Sequence, residues 1–520
     1  MVIDTSSSGL MAVSVLILGA VCLTFVVLFS GILLNHDCAL LLQCGEMILD
    51  GSVPYIDYVE LNTHMAQYIH IPPVLISRTL GTALPDTYAV YILVLTLLSS
   101  FLVYLLVRRT GSDRSTTAAS LAASSVVLLS LMAFKNGDFG QREHLFILAF
   151  MPYMLVRLAR FGKESVGIPT AVLTGAAAGI MALVKPPFLL IFFVTELWMV
   201  LRSKSFSKLK APEMLTVYGV FILFGIHYLL LPWRSVTEFA LRWVPFIAAH
   251  YDVYNSTYSD MIAWNLSRLL WLAAGFASGV YLWRKREWSF RAGTMIVVLL
   301  VGVVTFLLQH KGWSYQLLPP LAFALMLLCL SAAEWIGSRS SGGAVRKRTV
   351  RSLPLFCLGA VFLFYSGMSF TVAGRLYPGL ERFLTVIVEN TGRDDRVAFL
   401  TTDAYPNYPT LVYAGRMPGT RFTILTAIAM LHEGRDGHDP PHVNDSGPTQ
   451  EEALLLEEMG SDILTLVPAL VIVHDSGECQ GCPPGFSVRG YLEDNGWMNE
   501  YMDNYYLIEV IEGHSVYKRE

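Results

Sequence analysis

Three short segments of the 520-residue chain hold most of the side chains able to do chemistry. Asn35-His36-Asp37 sets a carboxylate beside an imidazole directly after a long apolar run. Phe134 to His144 packs Lys135, Asp138, Gln141, Arg142, Glu143 and His144 into eleven residues. Gln309 to Gln316 brings His310, Lys311, Trp313 and Tyr315 together ahead of a Leu-Pro step, and Lys185 stands alone before Pro186-Pro187. A carboxylate at the edge of an apolar run suits a general base, because partial desolvation raises its pKa toward neutrality. Isolated cations suit the holding of an anion such as a phosphate, and the planar fork of Arg142 does so with two parallel bonds. Plainer readings stand beside these. Asp37 would cap a helix, Asp138 and Arg142 would form a helix-end ion pair, Trp313 would sit in an aromatic belt, and His64 would be a packed core histidine.

What positions these groups is a membrane. The chain is 54% hydrophobic and 15% charged, with a mean hydropathy of +0.51. Soluble domains carry roughly 25% charged residues, so most of this surface faces something other than water. Eleven apolar runs are long enough to span, at about 11–34, 87–107, 118–134, 144–160, 168–184, 186–201, 213–232, 262–283, 291–308, 317–336 and 353–373. The first has no basic residue before it and no small-residue cleavage site, so it reads as a retained helix.

Basic residues collect in cytoplasmic loops. One alternating set of loops contains 19 of the 27 Lys and Arg of residues 1–374, among them Arg108, Arg109, Arg114, Lys204, Lys208, Arg284, Arg339 and Arg346. This puts the N-terminus in the cytoplasm and residues 375–520 outside, which an odd number of helices requires. Residues 1–374 hold 27 Lys and Arg against 18 Asp and Glu, whereas residues 375–520 hold 10 against 23. Two domains follow, a transmembrane domain over 1–374 and a small extracytoplasmic α/β domain over 375–520. In the latter, 396–401, 469–473 and 505–510 read as strands, 451–460 as a helix and 433–448 as a loop. Cys479 and Cys482 read as a local disulfide of an oxidising compartment.

The first outward loop is the most informative. After Asp37 an amphipathic run to Gly51 carries Gln43, Glu46 and Asp50 on one side and Leu41, Met47 and Ile48 opposite, which suits a helix in the interface plane. Then come Gly51-Ser52-Val53-Pro54-Tyr55-Ile56-Asp57-Tyr58, Leu61-Asn62-Thr63-His64, and a second amphipathic run over 65–80. This order resembles the GT-C class of integral-membrane glycosyltransferases, in its family-39-like branch that uses polyprenyl-phosphate sugars. Asp37 matches the acidic position after the first helix. Gly51, Pro54, Tyr55 and Asp57 match a segment of the type G-x-x-P-Y-x-D. Many members show two adjacent acids, but here Cys38 follows Asp37, which leaves a divalent metal shared between two carboxylates open but unsupported; no cofactor is required.

The resemblance implies an inverting transfer of a sugar from a polyprenyl-phosphate donor to a lipid, glycan or protein acceptor. Asp37 would be the general base. Arg142, Lys311 and Lys185 would hold the phosphate, and His36, Asp57, His64, Lys135, Asp138, Gln141, Glu143, His310, Trp313 and Tyr315 would contact substrate. It also implies a multi-pass protein of a bacterial inner membrane whose partners are lipids and not nucleic acid, in keeping with the lack of a soluble basic stripe. Two other classes fit less of the sequence. A non-catalytic subunit of envelope polysaccharide assembly would keep the same fold. A secondary transporter would want mid-membrane charges and a repeated half, and no repeat is present. Nor is there a Walker loop, a Gly-x-Ser-x-Gly elbow or a His-Glu-x-x-His motif.

Overall fold

A computed structural model describes residues 7–31, 34–110, 116–338, 346–372, 379–432, 447–475, 482 and 485–520. Arg114, Arg339, Cys479 and most of the 433–448 loop lie outside the described residues. The chain runs α1 (Ser7–Phe29), α2 (His36–Leu49), α3 (His64–Tyr68), α4 (Ile71–Leu80), α5 (Leu84–Thr110), α6 (Thr116–Lys135), α7 (Arg142–Phe161) and α8 (Ile168–Ala182). It continues with α9 (Pro186–Ser203), α10 (Pro212–His227), α11 (Trp233–Thr237), α12 (Val244–His250), α13 (Tyr258–Trp283), α14 (Ser289–Gln309), α15 (Leu318–Ser338) and α16 (Arg346–Val372). The remainder is α17 (Leu380–Asn390), β1 (Arg396–Leu400), α18 (Asn407–Ala414), β2 (Met417–Pro418), α19 (Thr426–Leu431), α20 (Gln450–Leu466), β3 (Leu470–His474), α21 (Val488–Asp494), α22 (Trp497–Tyr501), β4 (Tyr505–Ile511) and β5 (His514–Arg519).

Every expected apolar run carries a helix. Eight helices are long and apolar enough to cross a membrane among the described residues, and α8 and α10 are shorter apolar helices. Helices serve here because they satisfy their own backbone polar groups where no water can. Lys185-Pro186-Pro187 separates α8 from α9 rather than kinking one helix. Lys185 is extended (φ −152°, ψ 137°), and the prolines occupy the first turn of α9, where a missing N–H costs nothing.

The chain packs into two compact units. The first, Met1–Ile32 with Tyr88–His227 and Ser256–Gly374, is a helix bundle. Small residues let its helices approach closely. A Cβ on Gly275 of α13 would lie 2.4 Å from the Ala324 Cα of α15, and one on Gly175 of α8 would lie 2.4 Å from the Glu213 carbonyl oxygen of α10. Beside that second contact, Arg157 of α7 is fully buried and bidentate on Glu196 of α9 (2.8 and 2.6 Å), with a further bond to Glu213 at 3.0 Å. Arg160 adds two bonds to Glu213 at 3.2 Å, and the Tyr153 hydroxyl donates to Glu196 at 2.8 Å. One cluster thereby joins three helices.

The second unit joins Leu33–Thr87, Tyr228–Asn255 and Arg375–Glu520. Its five-stranded sheet has the order β2-β1-β3-β5-β4. The first three strands are parallel, with Val397 opposite Leu470, and β5 runs antiparallel to both β3 and β4. The three expected strands are present. β2 and β5 went unforeseen because β2 has only two residues and β5 mixes polar and charged residues (His-Ser-Val-Tyr-Lys-Arg). The core of this unit draws on all three segments. Tyr55, Val59 and Trp243 are buried with Leu400, Phe422, Met459, Val473 and Trp497. The Val59 N–H donates to the Arg421 carbonyl at 2.7 Å, and the Thr423 hydroxyl donates to the Val59 carbonyl at 2.9 Å. Leu34 N–H donates to the Tyr413 hydroxyl at 3.0 Å, and α2 buries Cys38, Leu41, Gln43, Cys44 and Met47. Cys38 and Cys44 are free thiols, while Cys482 is disulfide-bonded.

The close contact of α13 with α15 makes a test of the bundle. Gly275→Ala should lower the detergent-solubilised protein's thermal stability by about 1–3 kcal/mol, the cost of overpacking. Gly219→Ala, where a Cβ meets nothing within 4 Å, should leave stability unchanged or raise it. Equal melting curves for the two variants would contradict this packing.

Candidate functional site

The turn between α6 and α7 is built to bury charge. Gly137 and Gly140 take positive φ (77° and 87°), and a Cβ on Gly140 would strike the Tyr88 ring at 2.7 Å. The Tyr88 hydroxyl donates to the Gly140 carbonyl at 2.6 Å. Gly140 N–H donates to His144 Nδ1 at 3.1 Å, which leaves His144 Nε2 as the donor to the Ser130 hydroxyl at 2.8 Å. His144 therefore acts as a brace for the turn. Asp138, Gln141, Arg142 and Glu143 are each no more than 5% exposed.

Two ion pairs issue from this turn. Lys185 Nζ donates to Glu143 Oε1 at 2.7 Å and lies 5.3 Å from the Tyr315 ring centroid. Asp138 Oδ2 is 3.5 Å from an Arg268 guanidinium nitrogen and accepts from the Ser314 hydroxyl at 3.4 Å. Asp138 and Arg142 are thus not simply each other's partners. The 309–316 segment supplies the rest. His310 ends α14 in the left-handed region (φ 56°), with its ring 4.5 Å from that of Tyr258. Asn265 donates to the Gly312 carbonyl at 2.8 Å, and the Ser256 hydroxyl donates to the Lys311 carbonyl at 3.0 Å. Lys311 is 4% exposed, and Trp313 and Tyr315 lie ring to ring at 5.8 Å. Lys135 closes α6 half-buried, and among the described residues it pairs with no carboxylate.

Arg268 is the residue that reading the sequence missed. It lies within an apolar run of α13 and looked like part of a span. A lone charge inside such a run was itself the signal, since membrane helices rarely keep one without a task.

The remaining expected residues lie in the second unit. Asn35, not Asp37, caps α2, its side chain accepting the Asp37 N–H at 2.9 Å. Asp37 sits in the first turn with its side chain 27% exposed, and His36 Nε2 is 3.6 Å from its Oδ1. Asp57 accepts the Val53 N–H at 2.7 Å and closes the turn that holds Tyr55 at φ 65°. His64 is fully buried among the rings of Tyr55 (4.9 Å), Phe239 (5.1 Å) and Tyr228 (5.2 Å). Burial, and then the Glu60 charge, pushes the Tyr55 phenol well above its ordinary pKa, and burial raises Tyr58 likewise. Tyr58 stays a donor, 2.6 Å from Gln67 Oε1. Glu46 on α2 is raised by burial, an effect that Arg78 partly offsets.

No protein-family model matches the sequence, and no curated protein matches it. Solved structures do. ArnT from Cupriavidus metallidurans bound to undecaprenyl phosphate matches with a TM-score of 0.60 at 13% identity, covering 98% of each chain. Its apo state matches with a TM-score of 0.61, also at 13% identity, over 97% of each chain. The arabinofuranosyltransferase AftD from Mycobacteria matches with a TM-score of 0.46 at 14% identity, over 98% of this chain and 40% of that one. The GT-C architecture expected from the segment after α1 is the architecture found, and over nearly its whole length the chain has the fold of ArnT.

The Glu143–Lys185 pair is directly testable. Lys185→Met strands a carboxylate that is 2% exposed and should cost about 2 kcal/mol of stability, discounted for the partial exposure of Lys185. Adding Glu143→Gln should restore most of that loss. A double variant that melts no higher than Lys185→Met would show that the two side chains are not coupled.

Proposed function

We propose that the protein is a glycosyltransferase that moves a sugar from a polyprenyl-phosphate donor to a lipid, glycan or protein acceptor, with inversion. The observation that carries this reading is the full-length likeness to ArnT, a protein whose structure holds undecaprenyl phosphate. The buried cations of the α6–α7 turn and the 309–316 segment give it chemical content. Taking a sugar from a lipid phosphate needs a base for the acceptor's proton and fixed positive charge for the departing phosphate. Asp37 is the base. Arg142 and Lys311 hold the phosphate. Lys185 contributes less than its charge suggests, because Glu143 already neutralises it at 2.7 Å. Arg268 is a positioning residue, acting through Asp138.

The reading is tested with purified protein and radiolabelled polyprenyl-phosphate sugars, following release of the lipid phosphate. Asp37→Asn should reduce turnover by roughly 10²–10⁴-fold, the usual worth of general-base catalysis, with donor binding retained. Arg142→Ala should weaken donor binding and turnover together. Full turnover in Asp37→Asn would remove the assigned base, and failure to bind any such donor would favour a non-catalytic subunit of polysaccharide assembly.

The same reading puts the N-terminus in the cytoplasm and the sheet outside. Asp503 is exposed at the turn before β4. In intact cells Asp503→Cys should react with a membrane-impermeant maleimide above the wild-type background. Labelling only after the membrane is opened would reverse the orientation.

A further inference from the structure

Asp57 ends the Gly51–Asp57 segment, and the structure gives it a setting of its own within the second unit. It lines a cavity of about 310 Å³ together with residues of β1, β2 and α20. That is the lower end of the roughly 300–1,000 Å³ typical of small-ligand sites, and it suits a mono- or disaccharide unit.

The polar groups of the cavity are held by one another and by neighbouring backbone. Arg421 converges on one oxygen of Asp462, with Nε at 2.9 Å and Nη2 at 2.8 Å from Oδ1, and its own N–H donates to Oδ2 at 2.7 Å. Arg396 donates through Nη1 to the Pro418 carbonyl at 2.9 Å. Asp57 is fixed by the Val53 N–H. Such groups lose little freedom when a ligand arrives, which is the condition for useful affinity from few contacts.

Charge and shape then narrow the ligand. Two arginines face two aspartates, so the lining is neutral and favours neither an anion nor a cation. What it offers is donors and acceptors side by side, the Thr420 hydroxyl among them, next to apolar Met47, Ile56 and Leu466. A sugar ring presents the matching surface, with hydroxyls that both donate and accept around an apolar C–H face. We propose that this cavity binds a neutral saccharide unit, held by Asp57, Arg396 and the Arg421–Asp462 pair. Binding here is separate from transfer, and it is expected whether or not the donor is turned over.

The test uses saturation-transfer NMR on the full-length protein in detergent. The probes are neutral gluco-, galacto-, manno- and arabino-oligosaccharides and their uronic-acid counterparts. At least one neutral probe should bind, and more tightly than its acidic counterpart. Asp57→Ala and Arg396→Gln should each weaken it roughly tenfold or more, as removal of a charged hydrogen-bond partner does. Both side chains reach solvent, and unchanged melting of both variants, with polyprenyl-phosphate-sugar binding also unchanged in Arg396→Gln, separates a lost saccharide site from a misfolded protein. Absence of any neutral binder, preference for the acidic probes, or binding unaltered in both variants would each overturn the proposal. None of those results would touch the assignment of Asp37.

Discussion

A charge placed inside an apolar helix bundle has to find a partner or be paid for in desolvation. In this protein that requirement decides where helices meet. Arg157, with no exposed surface, draws Glu196 and Glu213 to one point and so fixes α9 and α10 against α7. At the α6–α7 turn the same rule pairs Glu143 with Lys185 and Asp138 with Arg268, and each pair joins segments far apart in sequence. Because so few residues are charged, each pair bears on a large share of the bundle's geometry.

The two kinds of cluster differ in what surrounds them. Around Arg157 two arginines meet two glutamates through bonds of 2.6 to 3.2 Å, an arrangement that is balanced within itself. The α6–α7 turn instead combines its pairs with Arg142 and, from 309–316, Lys311 and two aromatic rings. Glycines at positive φ and the Tyr88 and His144 bonds hold that turn rigid. Rigid, desolvated cations beside aromatic faces are what the proposed phosphate-holding role asks for.

In the second unit the organising constraint is apolar burial. A five-stranded sheet with one short edge strand covers its face with helices of its own and with Tyr55, Val59 and Trp243 from distant parts of the chain. The Val59 and Thr423 hydrogen bonds then fix the register of the segment that carries Asp57. Its turn becomes a wall of a cavity that neither segment forms alone.

The sequence by itself determined the membrane class, the positions of the apolar helices, three of the five strands and the three segments where chemistry-bearing residues gather. Those features are local: apolar run length, alternation and the spacing of charges are written in neighbouring residues. Tertiary structure alone decided which charge faces which. The sequence suggested Asp138 with Arg142, and the fold adds Arg268, some 130 residues away, at 3.5 Å from Asp138. It likewise made Asn35 rather than Asp37 the cap of α2, left His64 inside a cage of rings, and gathered 33–87 and 228–255 into one core with 375–520. Pairings of this kind depend on where helices and strands come to rest, and no spacing along the chain encodes that.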